Sequence, residues 1–300
     1  MKQLIYSTLF IIGACLFMGC KPSSTKQNAG VQEDSLQATG EVAGNLAVDS
    51  LTYEEERDSN ITCRIVIDEP TGQDSLATVV RNYLCQELGK QYLPLLNDEG
   101  NAKNYPKYKA STDKGQDFVD FYGKGNFKYL LEQYKDMKSN IEDNDFNPQL
   151  SYEVKIRKTD ENDQYVTFQT TTYAYLAGAH GSAVDYSVNI SKDTKKPVTA
   201  IVNKEKLKEI QPILRQGTLD YLNADAEEKI QDKNLNDYLF IDKGIIPLPA
   251  HTPYLVKDGV HFIYQQYEIG PYAMGMVEFT VPYTKIKPFL TKEALNLCKQ

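Results

Sequence analysis

Two runs of strict alternation constrain this chain more than any other feature. Tyr152, Val154 and Ile156 alternate with Glu153, Lys155 and Arg157, and Val184, Tyr186, Val188 and Ile190 alternate with Asp185, Ser187, Asn189 and Ser191. A period of two sends successive side chains to opposite faces, so each run makes a strand with one packed and one wetter face. A further strand lies between them, from about Gln164 to Tyr175. Sheets of this kind are antiparallel and take helices on the packed side. Upstream, Ile61, Cys63, Ile65 and Ile67 alternate with Thr62, Arg64 and Asp68, although Val66 breaks the polar face.

Helical spacing appears elsewhere. From about Ser75, residues Leu76, Val79, Val80, Tyr83, Leu84 and Leu88 share one face. A second helix is expected from about Asp117 to Met137, interrupted at Gly123-Lys124-Gly125 because glycine is a poor helix former. Asn203 is a good N-cap for a helix carrying Leu207, Ile210, Leu214 and Tyr221, which Pro212 kinks or restarts. A shorter helix is expected over Ala224 to Gln231. Strands return at about Tyr254–Val256, Val260–Ile269 and Met276–Val281, and Pro282 to Leu290 makes a last short turn of helix. The order is strand, two helices, three strands, helices, three strands. It predicts an α+β fold: antiparallel sheets with helices packed on one side, in two intimately associated subdomains. A doubly wound parallel sheet would need strict alternation of strand and helix.

The N-terminus carries an address. Lys2 is followed by an uncharged stretch, Leu4 to Gly19, which is shorter than the roughly 20 apolar residues a comfortable spanning helix needs. A basic start, an apolar stretch and a small residue before the cut describe a secretory signal peptide. Leu16-Phe17-Met18-Gly19-Cys20 resembles a bacterial lipobox. The resemblance implies cleavage after residue 19, lipidation of Cys20, and anchoring to a bacterial membrane with the folded part periplasmic or surface-facing. Residues 20–58 are rich in small polar types with scattered apolar ones and read as a flexible tether. The folded part then divides into residues 59–172, an N-terminal subdomain, and 173–290, a C-terminal subdomain carrying Gly178-Ala179-His180-Gly181, with 291–300 as a tail.

Charge and cysteine usage exclude several classes. With 33 Lys+Arg against 41 Asp+Glu, the net charge is −8, so a nucleic-acid partner is not expected. After loss of Cys15 and lipidation of Cys20, three thiols remain: Cys63, Cys85 and Cys298. Cys63 and Cys85 could pair in an oxidising compartment, but their apolar settings favour buried free thiols. No zinc-like cysteine spacing is present, and neither a metal nor another cofactor is expected.

Two windows stand out. In Tyr173-Ala174-Tyr175-Leu176-Ala177-Gly178-Ala179-His180-Gly181-Ser182, an aromatic strand runs into very small residues around one histidine. Gly178 and Gly181 permit close approach of a ligand or another backbone, and packing of a tight hairpin would use the same residues. The second window is Tyr264-Gln265-Gln266-Tyr267-Glu268-Ile269-Gly270-Pro271-Tyr272-Ala273-Met274-Gly275. Pro271 cannot donate to a ladder, so the strand bends or ends there. Tyr267 and Tyr272 offer flat apolar faces with polar tips, suited to a sugar, a protein surface or the core. The candidate ligand-binding residues are Gly178, Ala179, His180, Gly181, Tyr267, Glu268, Pro271 and Tyr272, and no catalytic residue is assigned.

These windows, with Asp193-Thr194-Lys195-Lys196-Pro197-Val198 between them, resemble a bacterial domain family of unknown function over about Tyr173 to Leu290. That family forms the extracellular region of the lysozyme-sensing anti-sigma factor RsiV and accompanies some peptidoglycan deacetylases. The resemblance implies a lipid-anchored envelope domain that binds a lysozyme-like protein or a peptidoglycan-type glycan without catalysis of its own. The alternative is an envelope glycan hydrolase or deacetylase using His180 and nearby carboxylates. His180, Ser182 and Asp185 are triad residue types, but they crowd into one short segment with no nucleophile elbow. The histidines are His180, His251 and His261, with His261 on a strand and His251 in a proline-rich loop, where packing or surface roles suffice.

Overall fold

The computed structural model describes residues 45–97, 106–140 and 146–298. The signal peptide, Cys20 and the tether before residue 45 lie outside the described residues. β1 (Val48–Arg57) and β2 (Ile61–Pro70) form a hairpin, turned by Asp58 and Ser59 at φ 52° and 57°. Three helices follow: α1 (Ser75–Lys90), α2 (Leu93–Asn97) and α3 (Gly115–Asn140). Next come β3 (Leu150–Glu161), β4 (Tyr165–Leu176) and β5 (Ser182–Ser191). The five strands make one sheet in the order β1-β2-β3-β4-β5.

The sheet is antiparallel except at β2–β3, which pair in parallel, Ile65 opposite Val154. The reason is the connection. A crossover of three helices separates β2 from β3, and a long crossover returns the chain in the same direction. α1 and α3 cover one face, burying Val80, Leu84, Phe118, Val119 and Leu130 against Cys63, Ile65, Ile67, Val154, Ile156 and Phe168. Cys63 and Cys85 are free and buried there, and burial pushes their thiols up to about 12 and about 11.

The second layer is built from α4 (Gln211–Leu222), β6 (Tyr254–Val256), β7 (Gly259–Tyr264), β8 (Val277–Pro282), α5 (Tyr283–Ile286) and α6 (Lys292–Leu297). Its three-stranded antiparallel sheet buries Leu214, Leu255, Val260, Phe262, Tyr264 and Ile286 in a second core. Pro212 stands at the start of α4, so it restarts the helix after a short 3-10 turn capped by Asn203.

Side-chain amides join the two layers. Asn189 on β5 donates to the Leu255 carbonyl at 3.0 Å and accepts from the Leu255 amide at 2.6 Å. Gln265 does the same for Asp185, accepting from its N–H at 3.0 Å and donating to its carbonyl at 2.7 Å. Each amide continues a β-ladder across a gap that no strand fills.

Several expectations are corrected. The tether does not extend to residue 58, because Val48–Arg57 is an edge strand whose Tyr53 is buried. An edge strand needs few apolar residues, and this one packs Val48, Leu51 and Tyr53 against the first core. The boundary at 172/173 would cut β4. The first sheet continues to Ser191, so the Gly178–Gly181 motif lies in the β4–β5 hairpin of the first layer. The tail contains α6, N-capped by Thr291 and burying Ala294 and Leu297. α3 runs unbroken through Gly123 and Gly125. A Cβ at Gly123 would lie 2.3 Å from the Tyr53 ring, and one at Gly125 2.3 Å from the Tyr92 hydroxyl, so these glycines admit aromatic rings rather than break the helix. Ala224 to Gln231 is not helical, and a 3-10 turn follows instead at Asp232–Asp237.

Candidate functional site

The two windows meet in space. The β4–β5 hairpin turns through residues 177–181, with Ala177 at φ 58°. A Cβ at Gly181 would lie 2.4 Å from the Tyr173 hydroxyl, so glycine lets that exposed ring close onto the turn. β7 stops at Tyr264, earlier than its pattern of apolar residues suggests, and Tyr267 takes φ 66° in the turn that follows. Gln265 pins that turn to the backbone of β5 through Asp185. As a result the His180 ring stacks on Tyr272, with centroids 3.9 Å apart and planes 22° from parallel. Tyr267 closes the cluster, its hydroxyl 3.3 Å from His180 Nε2 and its ring 5.6 Å from that of Tyr272. The Tyr272 hydroxyl donates to the Gly181 carbonyl at 3.0 Å.

The remaining candidates play other parts. Glu268 accepts from the backbone N–H groups of Gln265 at 2.7 Å and Ala250 at 2.6 Å, so its carboxylate holds the turn together. Pro271 is exposed and starts the 3-10 turn Tyr272–Met274. Ala179 is exposed beside His180, and Gly178 lines the cleft described next.

Beside the aromatic cluster lies a cleft of about 480 Å³ between the sheet and the end of α1. Its apolar wall includes Leu93, Leu96, Leu176 and Val184, and its polar groups include Gln91, Asn97, His180 and His251. Among the described residues none that lines it is Asp, Glu, Lys or Arg, although charged residues make up 25% of the chain. Under this wall runs a buried polar chain. The Tyr186 hydroxyl donates to Glu87, which is fully buried and paired with Lys90 at 2.9 Å. Gln91 Nε2 donates to the Tyr186 oxygen at 2.9 Å, and the Tyr152 hydroxyl donates to the Gln91 carbonyl at 2.6 Å. Burial, then the Glu87 charge, pushes the Tyr186 phenol far above its ordinary range. His251 lies on Tyr186, and burial lowers its imidazole below the usual range. In the sequence only the four-residue spacing of Glu87, on α1, and Gln91, at its C-cap, beside the core positions Leu84 and Leu88, marks this chain.

Hydrolytic chemistry finds no assembly here. Ser182 lines the cleft, whereas Asp185, three residues on along β5, points to the other face and accepts from Gln169 at 2.8 Å. His261 on β7 contacts Thr280 at 2.8 Å and Glu278 at 3.5 Å. No hydrogen bond or ion pair joins any two of His180, Asp185, His261 and Glu268 among the described residues. No group of three His, Cys, Asp or Glu side chains among them is disposed to hold a metal ion.

A mixed five-stranded sheet, helix-covered and tied to a small antiparallel sheet, defines an α+β protein with its cleft in the first layer. Residues 192–284 match the family model described as a protein of unknown function, DUF3298. The match begins at the residue after β5, so it includes the Tyr267–Tyr272 turn and leaves out the His180 loop. The chain is similar in fold to a member of the DUF3298 family from Bacteroides fragilis NCTC 9343, with TM-score 0.59 and 19% identity over 85% of this chain and 97% of that one. It is also similar to a DUF3298 family protein from Pseudomonas aeruginosa PAO1, with TM-score 0.52 and 15% identity over 84% of this chain and 98% of that one. No curated protein matches the chain. The family model thus speaks for residues 192–284, and the two solved structures for the fold.

Proposed function

We propose that this chain is a binding domain of the bacterial cell envelope, anchored by lipid on Cys20, that holds a saccharide of the peptidoglycan type without transforming it. One observation carries the reading: two loops 87 residues apart converge to set His180, Tyr267 and Tyr272 as an aromatic rim beside a concave, uncharged cleft. Aromatic faces over hydrogen-bonding side chains suit the apolar faces and hydroxyl edges of sugar rings. Ser182 and Asp185 face opposite sides of β5, which favours binding over hydrolysis. Calorimetric titration with soluble peptidoglycan fragments tests the reading, with saturable binding expected and at least tenfold weakening by Tyr272→Ala. Absence of binding, or binding indifferent to that change, overturns it. Incorporation of labelled fatty acid into the full chain, abolished by Cys20→Ser, tests the anchor.

A second reading, a protein partner of the lysozyme type, is favoured by the exposure of Phe240 (65%), Tyr267 (58%) and Tyr238 (48%). Phe240 is tied to the second window by its N–H donating to the Ile269 carbonyl at 2.8 Å. Exposed aromatics of this kind anchor protein interfaces. Retention on immobilised lysozyme, lost on Phe240→Ala, would support it, and no retention removes it.

A further inference from the structure

We infer that the inner wall of the cleft is a recognition site for the secondary amide of an uncharged ligand, the acetamido group of an N-acetylated sugar, with Gln91 and His251 as its readers. The inference rests on the saccharide reading above and adds a chemical requirement to it.

The orientation of Gln91 follows from chemistry at its neighbours. Glu87, as a carboxylate, can only accept, so the Tyr186 hydroxyl spends its proton on Glu87. The Tyr186 oxygen must then accept from Gln91, which fixes the amide nitrogen of Gln91 toward Tyr186 at 2.9 Å. Its backbone carbonyl is held by Tyr152 at 2.6 Å. The side-chain oxygen of Gln91 is left as an acceptor with no hydrogen bond from a described residue. His251 lines the same cleft and lies flat on the Tyr186 ring, centroids 3.9 Å apart. No described residue hydrogen-bonds its ring nitrogens. The titratable groups that face it are Glu87 and Lys90 on α1 and Tyr186 on β5, and the imidazole is kept neutral by burial. A neutral imidazole carries one N–H donor.

Around Tyr186 the wall therefore presents a fixed acceptor, Gln91 Oε1, and an N–H donor on His251, whose other ring nitrogen accepts. Both are attached to the same tyrosine, one through its hydroxyl and one through its ring. A secondary amide is the complement, its N–H meeting Gln91 and its carbonyl meeting His251. An acetamido methyl is apolar, and Leu93, Leu96 and Val184 supply an apolar surround. Among the described residues no charged side chain lines the cleft, which disfavours a charged ligand, because a charge entering it would lose solvation with no described opposite charge to meet it.

The test is titration of the folded protein with three uncharged probes: N,N′-diacetylchitobiose, cellobiose, and an acetylated dipeptide amide. The acetylated disaccharide is expected to bind at least tenfold more tightly than cellobiose, about the value of one to two neutral hydrogen bonds. His251→Phe keeps a ring on Tyr186 and removes the donor. It should weaken the acetylated sugar about tenfold and leave cellobiose unchanged, with an unaltered circular dichroism spectrum. Equal binding of the two disaccharides leaves the saccharide reading standing and overturns the amide site. Binding of neither overturns both. If the dipeptide amide matches the acetylated sugar, the assignment to a sugar falls. Full affinity of His251→Phe for the acetylated disaccharide removes His251 as a reader.

Discussion

The imidazole of His251 lies 5° from parallel to the phenol ring of Tyr186. That stack holds the histidine against the cleft wall, where burial lowers its pKa, Glu87 pulls it partly back up and Lys90 adds to the depression. In the unfolded chain the same side chain titrates near 6.5. Between that value and the lower folded one, the unfolded state binds more protons. Stability therefore falls as pH drops through this window and levels off below it. His251→Phe should show a smaller loss of urea midpoint between pH 7.5 and pH 5 than the parent protein. An identical loss in both would show that the histidine does not contribute to the pH dependence.

Gly123 separates two opposed effects. Alanine is the better helix former by about 1 kcal/mol. A Cβ at this position of α3 meets two carbons of the Tyr53 ring at 2.3 Å, and overpacking of this kind costs about 1–3 kcal/mol. Gly123→Ala is therefore expected to lower the urea midpoint. In a Tyr53→Ala background the same change should raise it, because the ring is gone and helix propensity remains. A stabilising Gly123→Ala in the parent would mean that the ring moves aside at little cost.

Glu161 ties the start of the described chain to the sheet. Its two oxygens accept from the Leu46 N–H at 2.8 and 3.0 Å, and it pairs with Lys158 and, at 2.6 Å, with Lys192. Burial pushes this carboxyl up, but the hydrogen bonds from Lys158, Lys192 and Leu46 outweigh it and hold the group below its ordinary range. Its stabilisation is present above the unfolded carboxylate value of about 4.3 and is lost as pH falls through the folded one. Glu161→Gln leaves the buried Lys192 without its counter-charge and should cost about 3 kcal/mol at pH 7. Urea titration at pH 7 and pH 3 should show the gap between variant and parent closing in acid. A constant gap would mean that the charge is not what matters.

Tyr267 is 58% exposed and held at positive φ, so its side chain contributes little packing. Tyr267→Ala should shift the urea midpoint by the equivalent of less than about 0.5 kcal/mol while weakening binding of peptidoglycan fragments. A loss of stability matching the loss of binding would make the residue structural.

Most strands and most helices were legible because burial on one face writes a period into the sequence. β3 alternates as written, but the polar face of β5 is buried as well, with Ser187, Asn189 and Ser191 under the second layer, and β7 ends at Tyr264, ahead of Pro271. The parallel pairing of β2 with β3 was not legible, since a single strand's alternation does not record its neighbour's direction. Neither was the unbroken α3, because propensity at Gly123 and Gly125 says nothing of the rings that press on them. At the candidate site, small residues around His180 and the tyrosines of the second window pointed to the two loops. Their meeting depends on Gln265, whose side-chain contacts with the Asp185 backbone leave no periodic trace. The Glu87–Tyr186–Gln91 chain was hidden for the same reason: each member is polar within an otherwise apolar stretch, and only the fold shows that they satisfy one another.

The edge strand β1 was the least legible element, and it supplies a direct test. Its composition is that of a tether, yet Leu46 and Tyr53 are 6% and 8% exposed and β1 pairs along its length with β2. Burying two such side chains contributes about 3–6 kcal/mol. A chain beginning at Asn45 keeps both, and one beginning at Ser59 loses both and exposes the edge of β2 beside Cys63 and Ile65. The longer chain is expected to match the full protein in urea midpoint. The shorter one should unfold at lower urea and associate through its uncovered strand edge, seen as a larger species by light scattering. Equal midpoints and a monomeric shorter chain would return residues 48–57 to the tether.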